Sequence, residues 1–433
     1  MKPRLFCYSD APVVPTGFGT VAQQLYTDLN KHFDTSILGI NYTGLTQYDR
    51  SKYFLYPTEP SDMLGSRRFL HVLRDANPDI IFLFQDHNVI AQVLPLIKDY
   101  NDKIPVVVYT PVDAQRVPHF WKPVYEEPDK VIMYTNWAKN AAMTSLPDMK
   151  TKSPIGVLYH GVSNEYYPLP RNIVNAIRAN HRWDDKFVIL SNNRFQPRKA
   201  LPSLLRAHAL FAKGYIKCSC GNYYLADQDH CDLNGCQKSE GLEKIPGKKD
   251  VMMYLHANNV ENVMGQGDTH TLSNSILEAG FTAEESSDYV SMYSGLNIYM
   301  EPYTVKEMNL IYNCADVNIS ASLGEGFGLS LIEAMASGTR SIAPNNSAIP
   351  EVLGGTGRLV KNSGFYNMAT DNGFMRPTVS IPGLVDALEA EYTLWMGNGR
   401  NKVIDQDCIN LVKKTYQWED KRTTLTGWLR QYV

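Results

Sequence analysis

Short apolar runs alternate with amphipathic stretches along the first half of the chain, and this alternation restricts the fold more than any other feature. Five runs are nearly continuous in apolar residues, which is typical of parallel strands buried on both faces: Arg4–Ser9, Ser36–Tyr42, Asp79–Phe84, Pro105–Tyr109 and Lys130–Tyr134. Helical periodicity lies between them, at Thr20–Leu29, Ser66–Asp75 and Val89–Tyr100. Strand and helix in this order predict a doubly wound α/β sheet, whose ligands bind beyond the carboxyl ends of the strands.

The second half of the chain repeats this pattern, so we predict a second doubly wound sheet. Its strands are predicted at Phe187–Ser191, Val251–Leu255, Leu296–Met300, Val317–Ser320 and Ser341–Ala343. A chain of 433 residues is expected to hold two or three domains. We predict an N-terminal domain at 1–168, a C-terminal domain at 169–400, and an amphipathic helical segment at 401–433.

Two carboxylates, Glu325 and Glu333, stand on either side of a glycine-rich turn in the sequence GEGFGLSLIE. The turn joins a predicted strand to a predicted helix, and such a junction presents backbone N–H groups and the positive end of a helix dipole to a phosphate. Gly326 and Gly328 allow a ligand to approach the backbone, and a carboxylate on the helix can accept hydrogen bonds from a ribose diol. A glycine turn followed by a solvated glutamate is the plain structural alternative.

Two cations follow the first strand of the second half. Arg194 comes at the end of that strand, and Lys199 comes just before a predicted helix at Leu201–Phe211. A guanidinium and an ammonium in these positions can neutralise a diphosphate, with the larger effect where negative charge builds on a leaving group. A solvated basic loop is the alternative, and we expect it for Arg198.

The loop after the first strand contains the sequence TGFGTVA from Thr16, which matches the G-x-G-x-x-A fingerprint of dinucleotide-binding proteins. The fingerprint needs a tight turn, whereas the stretch from Asp10 to Thr16 separates the strand from the first glycine. The second strand also ends without an acid for a ribose hydroxyl. A nicotinamide-dependent oxidoreductase is therefore a remote alternative, and a helix N-terminus capped by Thr16 or Thr20 is the structural one.

Four of the seven cysteines cluster in the second half, at Cys218, Cys220, Cys231 and Cys236. This clustering indicates a metal site in a reducing compartment rather than a disulfide framework. We predict a structural zinc held by the four thiolates, with His230 as a possible replacement for one of them. The insertion at about 213–248 is short, so the metal would supply much of its folding energy. Four thiols on a loop are the alternative.

The GEGFGLSLIE stretch resembles the E-x7-E motif of retaining, GT-B-fold glycosyltransferases of family four. The N-terminal glycine loop, the segment from Val157 to Pro168 and the R-x4-K element from Arg194 to Lys199 are similar to the family in the same order. The resemblance implies two Rossmann-like domains that face a cleft, the first on the acceptor side and the second binding the sugar nucleotide. It further implies a C-terminal helix that crosses back to the first domain. It also implies transfer of a hexosyl or pentosyl group from a nucleoside-diphosphate sugar with retention at the anomeric carbon.

Roles for individual donor-binding residues follow from this resemblance. Glu333 would hold the ribose, and Arg194 and Lys199 the diphosphate. Glu325, which we count among the catalytic residues, would hold the sugar together with the backbone of Gly326–Gly328. Further donor contacts are expected from Gly17, Gly19, Gly326, Phe327, Gly328 and Leu329. Met300, Pro302 and Tyr303 are candidate walls of the base pocket.

The catalytic group on the N-terminal side is less defined by the resemblance. Many family members have a histidine after the strand that here ends at Tyr109, and this chain has none there. Asp113 is the nearest polar candidate, and His87 could face the same cleft from the neighbouring strand. The family needs no dedicated general base, and we expect no catalytic metal.

Composition and charge limit the partners and the location. The net charge of −3 gives no overall signal for a polyanion, and no apolar run is long enough to span a membrane. The N-terminus has too short an apolar part for a signal peptide, so we expect a cytoplasmic protein. The acceptor is open between a glycan, a small molecule and a nucleic acid. Transfer onto a modified nucleic-acid base is the alternative that lysines near the cysteines favour, at Lys238, Lys244, Lys248 and Lys249.

Overall fold

Two parallel sheets organise the chain, one in each of two units. The computed structural model describes residues 1–228, 231, 242–259, 271–293, 301–367 and 374–433. Unit 1 combines Met1–Val162 with Thr415–Val433, and unit 2 is the intervening stretch Ser163–Lys414. Both boundaries expected from the sequence, after residues 168 and 400, fall inside unit 2.

The first stretch of unit 1 alternates strands and helices. The strands are β1 Arg4–Asp10, β2 Asp34–Ile40, β3 Phe54–Pro57, β4 Ile80–Phe84, β5 Val106–Thr110, β6 Lys130–Met133 and β7 Gly156–Val157. The helices are α1 Gly17–Tyr26, α2 Phe69–Ala76, α3 His87–Asn101, α4 Pro123–Glu126 and α5 Asn136–Ser145, with short 3-10 turns at Leu29–Lys31 and His119–Trp121. The strands form one parallel sheet in the order β3-β2-β1-β4-β5-β6-β7.

Burial on both faces explains the composition of these strands. Every residue of β4 and β5 is buried, and Leu5 of β1 lies opposite Ile80 of β4. The five strands predicted in the first half are therefore confirmed, with bounds shifted by a residue or two. The helix predicted from Thr20 begins earlier, because the Thr16 hydroxyl accepts a hydrogen bond of 2.9 Å from Gly19 N and caps the helix there.

Among its described residues, unit 2 contains the second parallel sheet and two small antiparallel ones. The strands are β8 Phe187–Asn192, β9 Gly214–Lys217, β10 Tyr223–Leu225, β11 Glu243–Pro246, β12 Val251–His256, β13 Val290–Met292, β14 Val317–Ile319, β15 Arg340–Pro344, β16 Arg358–Val360, β17 Asn362–Asn367 and β18 Met375–Val379. The parallel sheet has the order β13-β12-β8-β14-β15-β16, and the small sheets are β10-β9-β11 and β17-β18.

Helices surround this second parallel sheet. They are α6 Arg171–Asn180, α7 Leu201–Lys213, α8 Leu272–Glu278, α9 Ala283–Tyr289, α10 Val305–Cys314, α11 Leu329–Ala336, α12 Ile349–Leu353, α13 Ile381–Gly397 and α14 Gln406–Thr415, with a 3-10 turn at Pro197–Lys199. The strands predicted in this half are confirmed except for Leu296–Met300, which lies outside the described residues together with part of the cysteine insertion. The second doubly wound sheet is thus present, as the sequence predicts.

The last helix, α15 Trp418–Leu429, belongs to unit 1 and packs against α1. The backbone of Gly161 is in close contact with Trp418, because a Cβ at this glycine would come within 2.7 Å of the indole ring. Val162 forms a parallel bridge with Gln417, which fixes the returning chain to the end of the first stretch. Trp418 is buried. Among the helices in the described part of the chain, none is long and apolar enough to cross a membrane.

Candidate functional site

The glycine-rich turn lies at the carboxyl end of β14, a central strand of the second sheet. β14 pairs with β8 and β15, and α11 begins directly after the turn at Leu329. Gly328 has a φ of +98°, a left-handed conformation that favours glycine. Gly328 has no side chain with which to cap α11. Leu331 N donates to Gly328 O at 3.1 Å, and the N–H groups before it, at the start of the helix, suit an anion.

Neighbouring loops hold the turn in place. Glu325 N donates a hydrogen bond of 2.8 Å to Ser347 Oγ, and Ser347 itself has a φ of +49°. Asn346 Nδ2 donates to Ser322 O at 3.2 Å, and the Ser322 hydroxyl donates to Gly324 O at 3.1 Å. The backbone of the turn is therefore fixed from the loop after β15.

Two cations from the loop after β8 hold the Glu325 carboxylate. Lys199 Nζ donates to Oε1, and Arg198 Nη1 lies 3.4 Å from Oε2. The Glu325 and Lys199 side chains are only 12% and 13% exposed. Burial alone would raise the pKa of Glu325, but the charges of Lys199 and Arg198 lower it to about 2. The carboxylate is therefore ionised at neutral pH, and two cations against one anion favour an anionic ligand.

Arg198 is the member of this cluster that the sequence analysis assigned to solvent, and that expectation is wrong. Its guanidinium also donates to the Gly324 carbonyl, and its own carbonyl accepts from Leu323 N at 2.8 Å. The 3-10 turn at Pro197–Lys199 and the left-handed Ala200 that follows bring Arg198 and Lys199 to the same carboxylate. Arg194 lies on the same loop with an exposed side chain. Spacing alone could not distinguish the two arginines, because the turn was not predicted.

Glu333, the second carboxylate, lies at the centre of a hydrogen-bond network. Tyr312 of α10 donates its hydroxyl to Glu333 Oε2 at 2.8 Å, and Asn192 Nδ2 at the end of β8 donates to the Tyr312 hydroxyl at 2.8 Å. Tyr166 provides a second hydroxyl to the carboxylate. Burial raises the pKa of Glu333 to about 7, although both hydroxyls oppose the rise. Tyr166, Tyr312 and Asn192 were not predicted from the sequence. A hydroxyl or amide donor needs no particular spacing along the chain from the group that accepts its hydrogen bond.

The glycine loop of unit 1 is packed against itself. A Cβ on Gly19 would lie 2.2 Å from Val14 O and 3.0 Å from Ala11 O. In a dinucleotide fingerprint the second glycine makes room for a pyrophosphate, whereas here the loop from Ala11 to Thr16 fills that space. Gly17 begins α1 and is exposed. The geometry therefore gives no support to the nicotinamide alternative.

Asp10, at the carboxyl end of β1, is a buried residue that the sequence analysis did not consider. Its Oδ2 accepts from the Thr16 hydroxyl at 2.5 Å and from Asn41 Nδ2 at 3.4 Å, while Oδ1 accepts from Gln85 Nε2 at 2.8 Å. Asp10 thus connects the ends of three neighbouring strands, β2, β1 and β4, with the start of α1. Its position directly before the glycine loop is the signal that could have identified it.

His87 begins α3 and is buried in an aromatic cluster. Its Nε2 lies 2.5 Å from the Tyr125 hydroxyl, its Nδ1 lies 3.4 Å from the Thr110 hydroxyl, and its ring stacks on Trp121 at 4.9 Å. Burial lowers the pKa of His87 to about 3, and the charge of Asp113 opposes this effect only in part. His87 is therefore neutral at physiological pH. Asp113 is half-buried and close enough to act on the His87 charge.

Three of the predicted metal ligands lie together in the insertion. The Sγ atoms of Cys218, Cys220 and Cys231 all lie within 4.8 Å of one another. The Sγ atoms of Cys220 and Cys231 are 3.7 Å apart, close to the separation of about 3.8 Å that tetrahedral zinc with Zn–S bonds of about 2.3 Å requires. Asn222 Nδ2 lies 3.5 Å from Cys231 Sγ and can support a thiolate. Cys236 and His230 lie outside the described residues.

The described lysines near the insertion differ in their surroundings. Lys248 Nζ pairs with Glu389 and lies 5.0 Å from the centre of the Phe211 ring. Lys244 and Lys249 are exposed, and Lys238 lies outside the described residues. Because one of the three described cations is neutralised, this surface gives no specific support to a nucleic-acid acceptor.

Comparisons with known proteins agree with this geometry. Residues 270–370, which include both carboxylates, match the family model described as "Glycosyl transferases group 1". No curated protein sequence matches the chain. The chain thus carries a glycosyltransferase group 1 domain in the part of unit 2 that contains the glycine-rich turn.

Solved structures identify the fold. Sucrose-phosphate synthase from Thermosynechococcus elongatus is similar at a TM-score of 0.68 and 14% identity, over 100% of this chain and 99% of that chain. Anabaena HepE in complex with UDP-glucose is similar at 0.63 and 12% identity, over 99% of both chains. The E. coli protein titled trehalose-6-phosphate, bound with UDP-2-fluoro glucose, is similar at 0.63 and 13% identity, over 99% of both. The chain has the GT-B fold, with two Rossmann-like units.

Proposed function

We propose that this protein is a retaining glycosyltransferase that uses a nucleoside-diphosphate sugar. The observation that carries the proposal is the arrangement around α11. Cations and an ionised carboxylate lie at the turn before the helix, and a second carboxylate, Glu333, lies on the helix itself. Phosphate, sugar and ribose are the three groups that these side chains fit.

Each part of the donor has a proposed partner in unit 2. Glu333 accepts hydrogen bonds from the ribose diol, and Lys199 with Arg198 holds the diphosphate, to which the exposed Arg194 is added. Glu325 binds sugar hydroxyls, and the backbone from Gly326 to Leu329, including Phe327 and Gly328, lies against the phosphates. The uridine diphosphate in the HepE complex makes UDP-glucose the first donor to test.

The proposed reaction breaks the bond between the anomeric carbon and the diphosphate oxygen, and the acceptor oxygen forms the new bond on the same face. Negative charge then builds on the leaving diphosphate, where Lys199, Arg198 and the first turn of α11 stabilise it. The acceptor proton passes to the donor phosphate, so no separate base is required. We expect no catalytic metal, because these cations take up the charge. Gly17, Gly19, Asp113 and His87 stay predictions for unit 1.

A donor-binding and product analysis tests this proposal. Isothermal titration with UDP, UDP-glucose, ADP and GDP should find one nucleoside diphosphate that binds the wild type, with affinity lost in Glu333→Ala and Lys199→Met. Hydrolysis of the matching α-linked donor should release a free sugar that is initially the α anomer, and transfer should give an α-linked product. Proton NMR follows both. A β product would contradict retention, and binding of no nucleoside diphosphate would contradict the function.

We also propose that the cysteine cluster holds a structural zinc. Zinc would hold the turn from Cys218 to Asn222 against Cys231. Within this turn, Cys218 N donates a hydrogen bond of 2.9 Å to Asn222 O. Metal analysis of purified protein should give about one zinc per chain, and Cys231→Ser should lose it. Cys314→Ser is the matched control, because Cys314 is buried elsewhere in unit 2. Protein without zinc but with an unchanged melting temperature would contradict this role.

A further inference from the structure

A buried histidine with an unsatisfied ring nitrogen lies at the carboxyl edge of the second sheet. His256 is the last residue of β12 and is only 7% exposed. Its Nδ1 has no hydrogen-bond partner among the residues that the structure describes. A buried polar atom without a partner is costly unless a ligand or water satisfies it.

Aromatic rings surround this imidazole on two sides. Tyr303 stacks on it with ring centres 5.0 Å apart, and Tyr293 meets it edge-on at 5.3 Å. Burial lowers the pKa of His256 to about 4, so the ring is neutral at physiological pH and presents one N–H and one acceptor nitrogen. Flat aromatic walls with one neutral polar atom suit a planar heterocycle better than a phosphate or a sugar.

The position of His256 next to the proposed ribose site indicates which planar heterocycle it would bind. His256 lies directly opposite Asn192 in the pairing of β12 with β8, and neighbouring strands are about 4.8 Å apart. Asn192 bonds Tyr312, which in turn bonds Glu333, the proposed partner of the ribose diol. The imidazole is therefore one strand away from the ribose network, about where the base attached to that ribose would lie.

We infer that His256 hydrogen-bonds the nucleobase of the donor through Nδ1 and that Tyr303 forms a wall of the base site. The inference rests on the proposed function and names a base-reading side chain for the same donor site. Tyr303 was expected at the base pocket from the sequence, whereas His256 was not. Pro302 is exposed beside it, and Met300 lies outside the described residues.

Paired titrations of the whole protein with UDP and with inorganic pyrophosphate test the inference, since pyrophosphate has no base. His256→Phe keeps an aromatic ring but removes the nitrogen, and we expect its affinity for UDP to fall about tenfold while pyrophosphate binding stays unchanged. His256→Asn places a polar atom near the position of Nδ1 and should bind UDP within about threefold of the wild type.

His208→Phe is the matched control. His208 is fully buried on α7, and its Nδ1 also lacks a partner among the described residues, but its Nε2 bonds Tyr289 O at 2.9 Å inside the core. UDP affinity should not change in this variant. Wild-type UDP affinity in His256→Phe, or an equal loss for UDP and pyrophosphate, would overturn the inference. If wild-type protein binds no nucleoside diphosphate, the proposed function itself fails, and the base site fails with it.

Discussion

The ammonium of Lys199 and the carboxylate of Glu325 form an ion pair that is almost closed to solvent. Both belong to unit 2 but come from different loops, after β8 and after β14. In the proposed reaction the same ammonium must also serve a diphosphate. Donor binding therefore adds a second anion to a cluster that already holds one, and Arg198 is the extra cation that makes this possible.

Replacement of Lys199 by Met should weaken donor binding strongly. A charged hydrogen bond contributes about 1.5–3 kcal/mol, which corresponds to roughly a tenfold to hundredfold loss of UDP affinity. Glu325 would also lose the nearer of its two cationic partners, so the melting temperature should fall. Lys306→Met, on the exposed face of α10, is the control. Titration with UDP in both variants measures the effect, and equal affinities would exclude Lys199 from the diphosphate site.

Arg198→Gln should reduce turnover more than Arg194→Gln does. Arg198 bonds the Glu325 carboxylate and the Gly324 carbonyl, so its loss should displace the groups that we propose as sugar contacts. Arg194, in contrast, lies exposed on the same loop. We expect about a hundredfold loss of kcat for Arg198→Gln, which corresponds to about 2.7 kcal/mol. Steady-state kinetics of both variants measure which arginine contributes more to kcat. A larger loss in Arg194→Gln would reverse the assignment.

Donor affinity should depend on pH through Glu333. The pKa of Glu333 is raised to about 7 by burial, and the ionised carboxylate is the form that accepts two ribose hydrogen bonds. Affinity should therefore fall as the pH drops from 8 to 6. The Tyr312 hydroxyl lowers this pKa, so Tyr312→Phe should move the midpoint to higher pH. UDP titrations from pH 8 to pH 6 measure this midpoint, with Tyr289→Phe as the control. A UDP affinity that does not change with pH would show that Glu333 does not titrate at the site.

Acid stability should report on Glu325. Its pKa is lowered from 4.5 to about 2, so the unfolded chain binds the proton more tightly than the folded one. The ionised pair therefore stabilises the fold above about pH 4.5, and this stabilisation is lost as the pH falls toward 2. The shift corresponds to about 3 kcal/mol. Urea unfolding of wild type and Glu325→Gln at pH 7 and pH 3 should give a difference that shrinks on acidification; a constant difference would contradict the pair.

Gly328→Ala should affect both stability and donor binding. Its φ of +98° costs about 1–2 kcal/mol for an L-residue, and the new Cβ would lie 3.0 Å from Leu331 Cδ1. Gly355→Ala is a close control, because Gly355 has a φ of +89° with nothing within 4 Å of its Cβ position. Both variants should lose stability in thermal unfolding, but only Gly328→Ala should lose UDP affinity. Equal UDP affinities would mean that the turn does not contact the donor.

The sequence predicts the sheets of this protein better than its site. Strands such as β4 and β5 are buried on both faces, so their apolar runs are continuous and visible without any partner. The strand β7 was not predicted, because two half-buried residues are too few to show any periodicity. The Leu329 helix was predicted correctly because glycines mark its beginning.

Side-chain partners were predicted less well, for a physical reason. Glu325 and Glu333 were identified by spacing, but their opposite pKa shifts depend on neighbours from other segments, Arg198 and Tyr312 among them. Such contacts are made by tertiary packing rather than by local sequence. His256 was missed for the same reason. That its Nδ1 lacks a hydrogen-bond partner becomes visible only from the packing of the described residues.

The division of unit 1 into two stretches has a consequence for fragment design. A recombinant piece that ends at Val162 would lack α15, and the surfaces of α1 and Gly161 that this helix covers would face water. Exposed apolar surface of this kind promotes aggregation. A usable fragment of unit 1 therefore needs a spliced design, in which Met1–Val162 is joined by a short linker to Thr415–Val433.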